Sequence, residues 1–324
     1  MTGLIAPQHA APSLSREAFA LPALVEQAGE QASRRFVEFF TANIRNPNTR
    51  RAYARAIADF CWWCEQRGLA LAAIEPIAVA AYIEQHPGSS PTVKQHLAAI
   101  RMLFDWLVVG QIVPVNPAAS VRGPKHVVKR GKTPVLSSAQ ARLLLDSIDV
   151  SHVVGLRDRA LIAAMVFSFA RVSAVIAMKV EDYYPNGKRW WLRLHEKGGK
   201  FHELPAHHAL EEYLDAYLEA GGLANNRKAP LFPTAHGKTK RLTENPMTRT
   251  DALRMIKRRA RDAGLPDRIT CHTFRATGIT AFLQNGGTLE AAQAIAAHES
   301  ARTTKLYDRT GDDITLDDIE RIVI

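Results

Sequence analysis

The stretch 271–307, "CHTFRATGITAFLQNGGTLEAAQAIAAHESARTTKLY", decides how this chain is read. His272 and Arg275 are three residues apart, so on a helical turn they share one face. His298 follows twenty-six residues after His272, and Tyr307 nine residues after His298. Upstream, "FSFARVSAV" supplies Arg171 and "LHEKGGKFHELP" supplies Lys197. Two arginines, two histidines, a lysine and a tyrosine suit one task, in which cations hold a phosphodiester while the phenol attacks it. A phosphodiester repels nucleophiles by its charge, and its alkoxide leaves poorly. An enzyme working without a metal must neutralise the non-bridging oxygens and protonate the leaving oxygen. Arginine stays charged at any working pH, and its fork matches two oxygens at once. A phenol, with a pKa of about 10, needs a base or a strongly positive pocket before it attacks readily. Taken singly, a His-x-x-Arg, a turn lysine and a surface tyrosine are usually structural. The ordered set carries the reading.

This set and its order resemble the tyrosine recombinases, the phage-integrase family of DNA strand-exchange enzymes, over roughly residues 30 to 310. The resemblance implies that Arg171 and Arg275 bind the scissile phosphate and that Tyr307 is the nucleophile. It implies that His272 and His298 assist proton movements and bind the same phosphate. Lys197, before Gly198 and Gly199, resembles the general acid that protonates the leaving 5′ oxygen, with Lys200 beyond the glycines as the alternative. The implied partners are double-stranded DNA bearing a specific recombination site and further protomers, as a tetramer on two duplexes. Bond energy kept in a 3′-phosphotyrosyl link would make a nucleotide cofactor unnecessary. Two positions depart from the family pattern. Ala174 stands where an acidic residue usually follows the first arginine, and Ala297 stands where a glycine usually precedes the later histidine. The first puts efficiency in doubt more than activity, and the second is a change in a helix-compatible direction. Two rival readings share parts of the set: a type IB topoisomerase relaxing one duplex, and a catalytically impaired DNA-binding regulator, which Ala174 supports.

Composition agrees with a polyanionic partner. The 324 residues carry a net charge of +10. From Asp308 onward, six acidic residues against two arginines give −4, which leaves +14 on residues 1–307. The length suits two domains. No phosphate-binding Gly-x-x-x-x-Gly-Lys-Ser/Thr loop is present, which argues against ATP use, and no acidic cluster with metal spacing, which argues against a magnesium nuclease. Cys61 and Cys64 sit among aromatics in "DFCWWCEQ" without a second pair, so they read as buried helix residues and not as a metal or redox site. The N-terminus lacks the pattern of a signal peptide, and no apolar run reaches membrane-spanning length. A cytoplasmic protein of a bacterial type is expected.

The expected architecture is α+β and mainly helical, with a helical N-terminal domain and a catalytic domain holding a small antiparallel sheet. Residues 1–28, rich in Ala, Pro and Ser, read as loosely ordered. Residues 29–120 follow helical periodicity, with Tyr53, Ala56, Ile57, Phe60, Trp63 and Cys64 on one face and Leu97, Ile100, Leu103, Phe104 and Leu107 on another. This domain resembles the family's core-binding, SAM-like domain. Its outward candidates for DNA are Arg50, Arg51 and Arg55, then Lys94, Gln95, His96 and Arg101, with Lys94, Gln95 and His96 nearest to base edges. Residues 121–136 read as a basic linker, with Arg122, Lys125, Lys129 and Arg130 as further DNA contacts. The catalytic domain, 137–307, opens with a capping box at Ser137 and Gln140. Its convincing strands are placed in "KRWWLRLHEKGGKFHELPA", and the rest, from His207 to Tyr307, reads as mainly helical. The tail, 308–324, has Ile314, Leu316, Ile319, Ile322 and Val323 at near-helical spacing, to be packed either on its own domain or on a neighbouring protomer.

Overall fold

Asn46 starts a long early helix by accepting hydrogen bonds from the amides of Asn48 and Thr49, while Pro47 presets its first residue. The computed structural model describes residues 21–126, 128, 131–196 and 201–308. The chain divides into two units, Met1–Val127 and Val128–Ile324. In the first lie α1 (Ala23–Glu26), α2 (Glu30–Glu38), which runs into a π-helical turn (Phe39–Asn43), α3 (Pro47–Glu65), α4 (Pro76–Gln85) and α5 (Ser90–Val109). Phe36, Phe40, Ile57, Phe60, Leu97, Ile100, Leu103 and Phe104 fill its core, each such burial contributing roughly 1.5–3 kcal/mol. Cys61 and Cys64 are buried on α3, where burial pushes the Cys64 thiol up to about 12. Helix α1 falls within the segment expected to be loose. Leu24 and Val25 are buried in the same core, so residues 23–26 are packed where composition suggested a loose segment.

The second unit holds α6 (Ser138–Asp146), α7 (Val153–Phe167), α8 (Val172–Ile176), β1 (Tyr183–Asn186), β2 (Arg189–His195), β3 (Phe201–Pro205), α9 (His208–Gly221), β4 (Pro233–Ala235), β5 (Leu242–Pro246), α10 (Arg249–Asp262), α11 (Cys271–Gln284), α12 (Leu289–Ile295) and α13 (Ala301–Lys305). The Ser137–Gln140 capping box forms as the sequence predicts. β1, β2 and β3 make one antiparallel sheet, with His195 opposite Phe201 across the hairpin. β4 and β5 form a second pair inside the region expected to be mainly helical. These strands are short and carry prolines, so they offer no alternation for a sequence reading to detect.

Helix α7 is the hub of this unit and packs against α9 and α11. Leu161, Ile162, Ala163, Ala164 and Met165 are buried around it. Gly278 lets α11 approach closely, because a Cβ there would overlap the Val166 carbonyl oxygen and the Phe169 ring. A buried ion cluster joins α7 to α10. Asp158, 0% exposed, accepts hydrogen bonds from Arg157 at 2.6 Å and Arg259 at 2.8 Å. These contacts hold α8, α10 and α11 around one cleft.

Candidate active site

Arg171 caps the start of α8, and its side chain is 43% exposed. Its Nη1 donates to Glu196 Oε2 at 2.7 Å. Arg275, on α11, is buried, and its guanidinium is spent partly on the protein itself. Nη2 donates to the Ala296 carbonyl at 2.7 Å and Nη1 to the Phe169 carbonyl. Those two acceptors end α12 and follow α7, so Arg275 ties three elements together while standing in the cleft. One turn earlier on α11, His272 places Nε2 2.8 Å from the Tyr307 hydroxyl. His298, between α12 and α13, stacks on the Tyr307 ring with centroids 5.8 Å apart and an interplanar angle of 9°. Its Nδ1 lies 2.9 Å from Thr304 Oγ1. Tyr307 follows α13 directly and is anchored by its carbonyl, which accepts from Thr280 Oγ1 at 2.9 Å. One chain therefore supplies the phenol, both imidazoles and both guanidiniums.

The electrostatics favour an incoming anion. Burial, then Arg275 and Arg171, hold His298 down at about 4, and the same causes lower His272. Both imidazoles are therefore neutral at neutral pH. In the tautomer with the proton on Nδ1, His272 Nε2 can accept the phenolic proton. Burial raises the Tyr307 pKa, while Arg275 and Arg171 pull it back. Arg275 is lowered to about 10 by burial and by Arg171, so it stays charged at neutral pH. A phosphate between the two guanidiniums would relieve their repulsion.

Sequence reasoning placed Arg171, His272, Arg275, His298 and Tyr307 in one site, and the structure brings these five together. Lys197 and Lys200 lie outside the described residues, as do Lys129, Arg130 and the tail from 309 onward. Two neighbours were missed. Glu196 contacts Arg171, and Arg249, exposed at the start of α10, lines the cleft with Arg171, His272 and Arg275. A signal for Arg249 existed in the capping box of Thr248 and Asp251, which sets it in a first helical turn.

Among the DNA candidates, Arg51, Arg55, Lys94, Gln95, Arg122 and Lys125 are exposed. Arg55 also pairs with Asp59 at 2.9 Å. Three others are engaged structurally. Arg50 donates twice to the Ile44 carbonyl, at 3.0 and 2.8 Å, closing the π-helical turn onto α3. His96 is buried, with Nδ1 2.8 Å from the Tyr82 hydroxyl, so it points inward and not to a base edge. Arg101 donates to the Ala118 carbonyl at 3.0 Å and to that of Val121, fastening the segment after α5. Ala297 corrects a further expectation. Its φ is +47°, a left-handed conformation that favours glycine, so alanine here is strained and not helix-compatible.

Comparison with known proteins agrees with this geometry. The Phage integrase family pattern matches residues 134–312, and the N-terminal SAM-like domain pattern of phage integrases matches residues 35–110. The chain belongs to the phage integrase family. Tyrosine recombinase XerD of Ralstonia nicotianae is 31% identical over 265 residues, covering 80% of this chain and 83% of that protein. XerD of Corynebacterium glutamicum is 28% identical over 291 residues, covering 85% and 90%. The fold is shared with XerH site-specific recombinase bound to difH substrate, at TM-score 0.64, 18% identity and 95% and 90% coverage. It is shared also with a lambda integrase dimer (residues 75–356) bound to a COC′ core site, at TM-score 0.66, 19% identity and 87% and 97% coverage. Among the described residues, no helix is long and apolar enough to cross a membrane.

Proposed function

We propose that the chain is a site-specific tyrosine recombinase that cuts and rejoins DNA through a 3′-phosphotyrosyl link at Tyr307. The observation that carries this reading is the Tyr307 hydroxyl 2.8 Å from His272 Nε2, beside the Arg171 and Arg275 guanidiniums. His272 takes the phenolic proton as the oxygen attacks phosphorus. Arg171 and Arg275 neutralise the non-bridging oxygens, and Lys197 protonates the departing 5′ oxygen. A 5′ hydroxyl from a partner duplex reverses the step, so the link conserves the bond energy. The exposed Arg51, Arg55, Lys94, Gln95, Arg122 and Lys125 grip the duplex, and four protomers on two duplexes form the exchanging assembly.

The test begins with sequencing genomic fragments that the protein retains, which supplies the site. A nicked suicide duplex built on that site should then trap a covalent adduct without added metal, and Tyr307→Phe should bind the duplex yet form none. An adduct in the Phe variant would remove Tyr307 as nucleophile. Lys197→Ala should slow cleavage and recover on a 5′-bridging phosphorothiolate, whose sulfur leaves without a proton. Recovery in Lys200→Ala instead would move the general acid.

A further inference from the structure

Arg171 must present its guanidinium to a phosphate, yet nothing on its own helix orients it. Three residues along α8, where a side chain would share its face, stands Ala174, which is buried and carries no acceptor. The carboxylate that holds Arg171 comes from elsewhere in the chain. Glu196 follows the end of β2, twenty-five residues away in sequence, and its Oε2 accepts from Arg171 Nη1 at 2.7 Å. The two exposures are unequal. The Glu196 side chain is 8% exposed and that of Arg171 is 43% exposed, so the carboxylate lies on the inner side of the guanidinium. Among the described residues Glu196 engages only Nη1, and the fork carries further N–H donors.

We infer that Glu196 is a positioning residue for phosphoryl transfer, acting through Arg171 and supplying from the β2–β3 hairpin the anchor that α8 lacks. The inference rests on the recombinase reading above. A charge-assisted hydrogen bond to a carboxylate that is itself largely shielded fixes a long side chain that would otherwise sample many rotamers. The contact is compatible with catalysis because a phosphate can take the outward donors while Glu196 keeps the inner one. Glu196 also lies close enough to act on Arg275, so it offsets part of the repulsion between the two guanidiniums. Glu196 also directly precedes Lys197, the proposed general acid, in the sequence.

The experiment is a double-mutant cycle on the suicide duplex, read as the single-turnover rate of adduct formation. Glu196→Ala should slow that rate by about 10- to 100-fold, the usual loss when a reacting group loses its positioning partner. Glu196→Gln, which keeps an acceptor but no charge, should fall between it and the unmodified chain. Duplex affinity and melting temperature should stay near those of the unmodified chain, which excludes misfolding. In an Arg171→Ala background, Glu196→Ala should cost less than about 2-fold more, because residues acting as one unit are not additive. Equal slowing in both backgrounds would overturn the inference, since Glu196 would then act independently of Arg171. A rate unchanged or raised in Glu196→Ala would overturn it too, the latter marking the carboxylate as a competitor of the phosphate. Absence of an adduct with the unmodified chain would remove the recombinase reading and this inference with it. A normal reference rate with an unaffected or additive variant removes this inference alone.

Discussion

Replacing His298 with glutamine should make the catalytic unit less sensitive to acid, even if it weakens that unit at neutral pH. An unfolded histidine titrates near 6.5, and burial with Arg275, Arg171 and His272 nearby holds His298 at about 4. That difference corresponds to roughly 3 kcal/mol of linkage between protonation and folding. Its sign follows from which state binds the proton. Above about pH 6.5 both states are neutral, and the full contribution is present. Below that, the unfolded chain takes up the proton first, so stability falls until pH reaches about 4, with a steepest slope of about 1.4 kcal/mol per pH unit. His272 shifts in the same direction and remains in the variant, so the difference between the two proteins isolates His298. Loss of the Tyr307 stack and of the Thr304 contact adds an offset that does not vary with pH. The assay is hydrogen exchange of α11 peptides in the full chain, with both proteins compared at each pH from 7.5 to 4.5 so that intrinsic exchange cancels. The gap between them should narrow, or reverse in favour of His298→Gln, by about 2–3 kcal/mol across that range. Curves that stay parallel within about 0.5 kcal/mol would refute the argument.

Three further outcomes follow from particular contacts. Asp158→Ala leaves Arg157, 3% exposed, without its carboxylate, and should cost about 3–5 kcal/mol, seen in calorimetry as a melting temperature lower by about 6–20 °C; a loss under about 1 kcal/mol would mean that the cluster contributes little to stability. Ala297→Gly relieves a φ of +47° and should stabilise by about 1 kcal/mol in urea unfolding, whereas destabilisation would show that no strain resides there. The Gly131 amide donates to the Leu306 carbonyl at 2.9 Å, and a Cβ at 131 would meet that oxygen at 2.5 Å. Gly131→Ala should therefore push on the residue before Tyr307 and slow adduct formation by about 10-fold or more with duplex binding retained, and an unchanged rate would show that the linker end does not set the tyrosine.

What the sequence determined by itself is local or periodic. Ser137 and Gln140 mark a helix start because their effect spans one turn. The apolar stripes of α3 and α5 fix which faces form the core, because 3.6-residue periodicity needs no knowledge of the partner. The candidate set was legible as residue types in order, through its resemblance to the tyrosine recombinases. Tertiary structure decided what depends on distant neighbours. His96 and Arg101 lie on a helix that reads as partly basic, yet packing against Tyr82 and the segment through Val121 turned them to structural work. β4 and β5 exist through pairing with each other and not through any pattern of their own. Ala297 owes its left-handed backbone to the turn between α12 and α13, where the chain must reverse to bring His298 onto Tyr307. Glu196 meets Arg171 across twenty-five residues and Tyr307 meets His272 across thirty-five, and contacts at that separation are set by how the helices pack, which no local rule encodes.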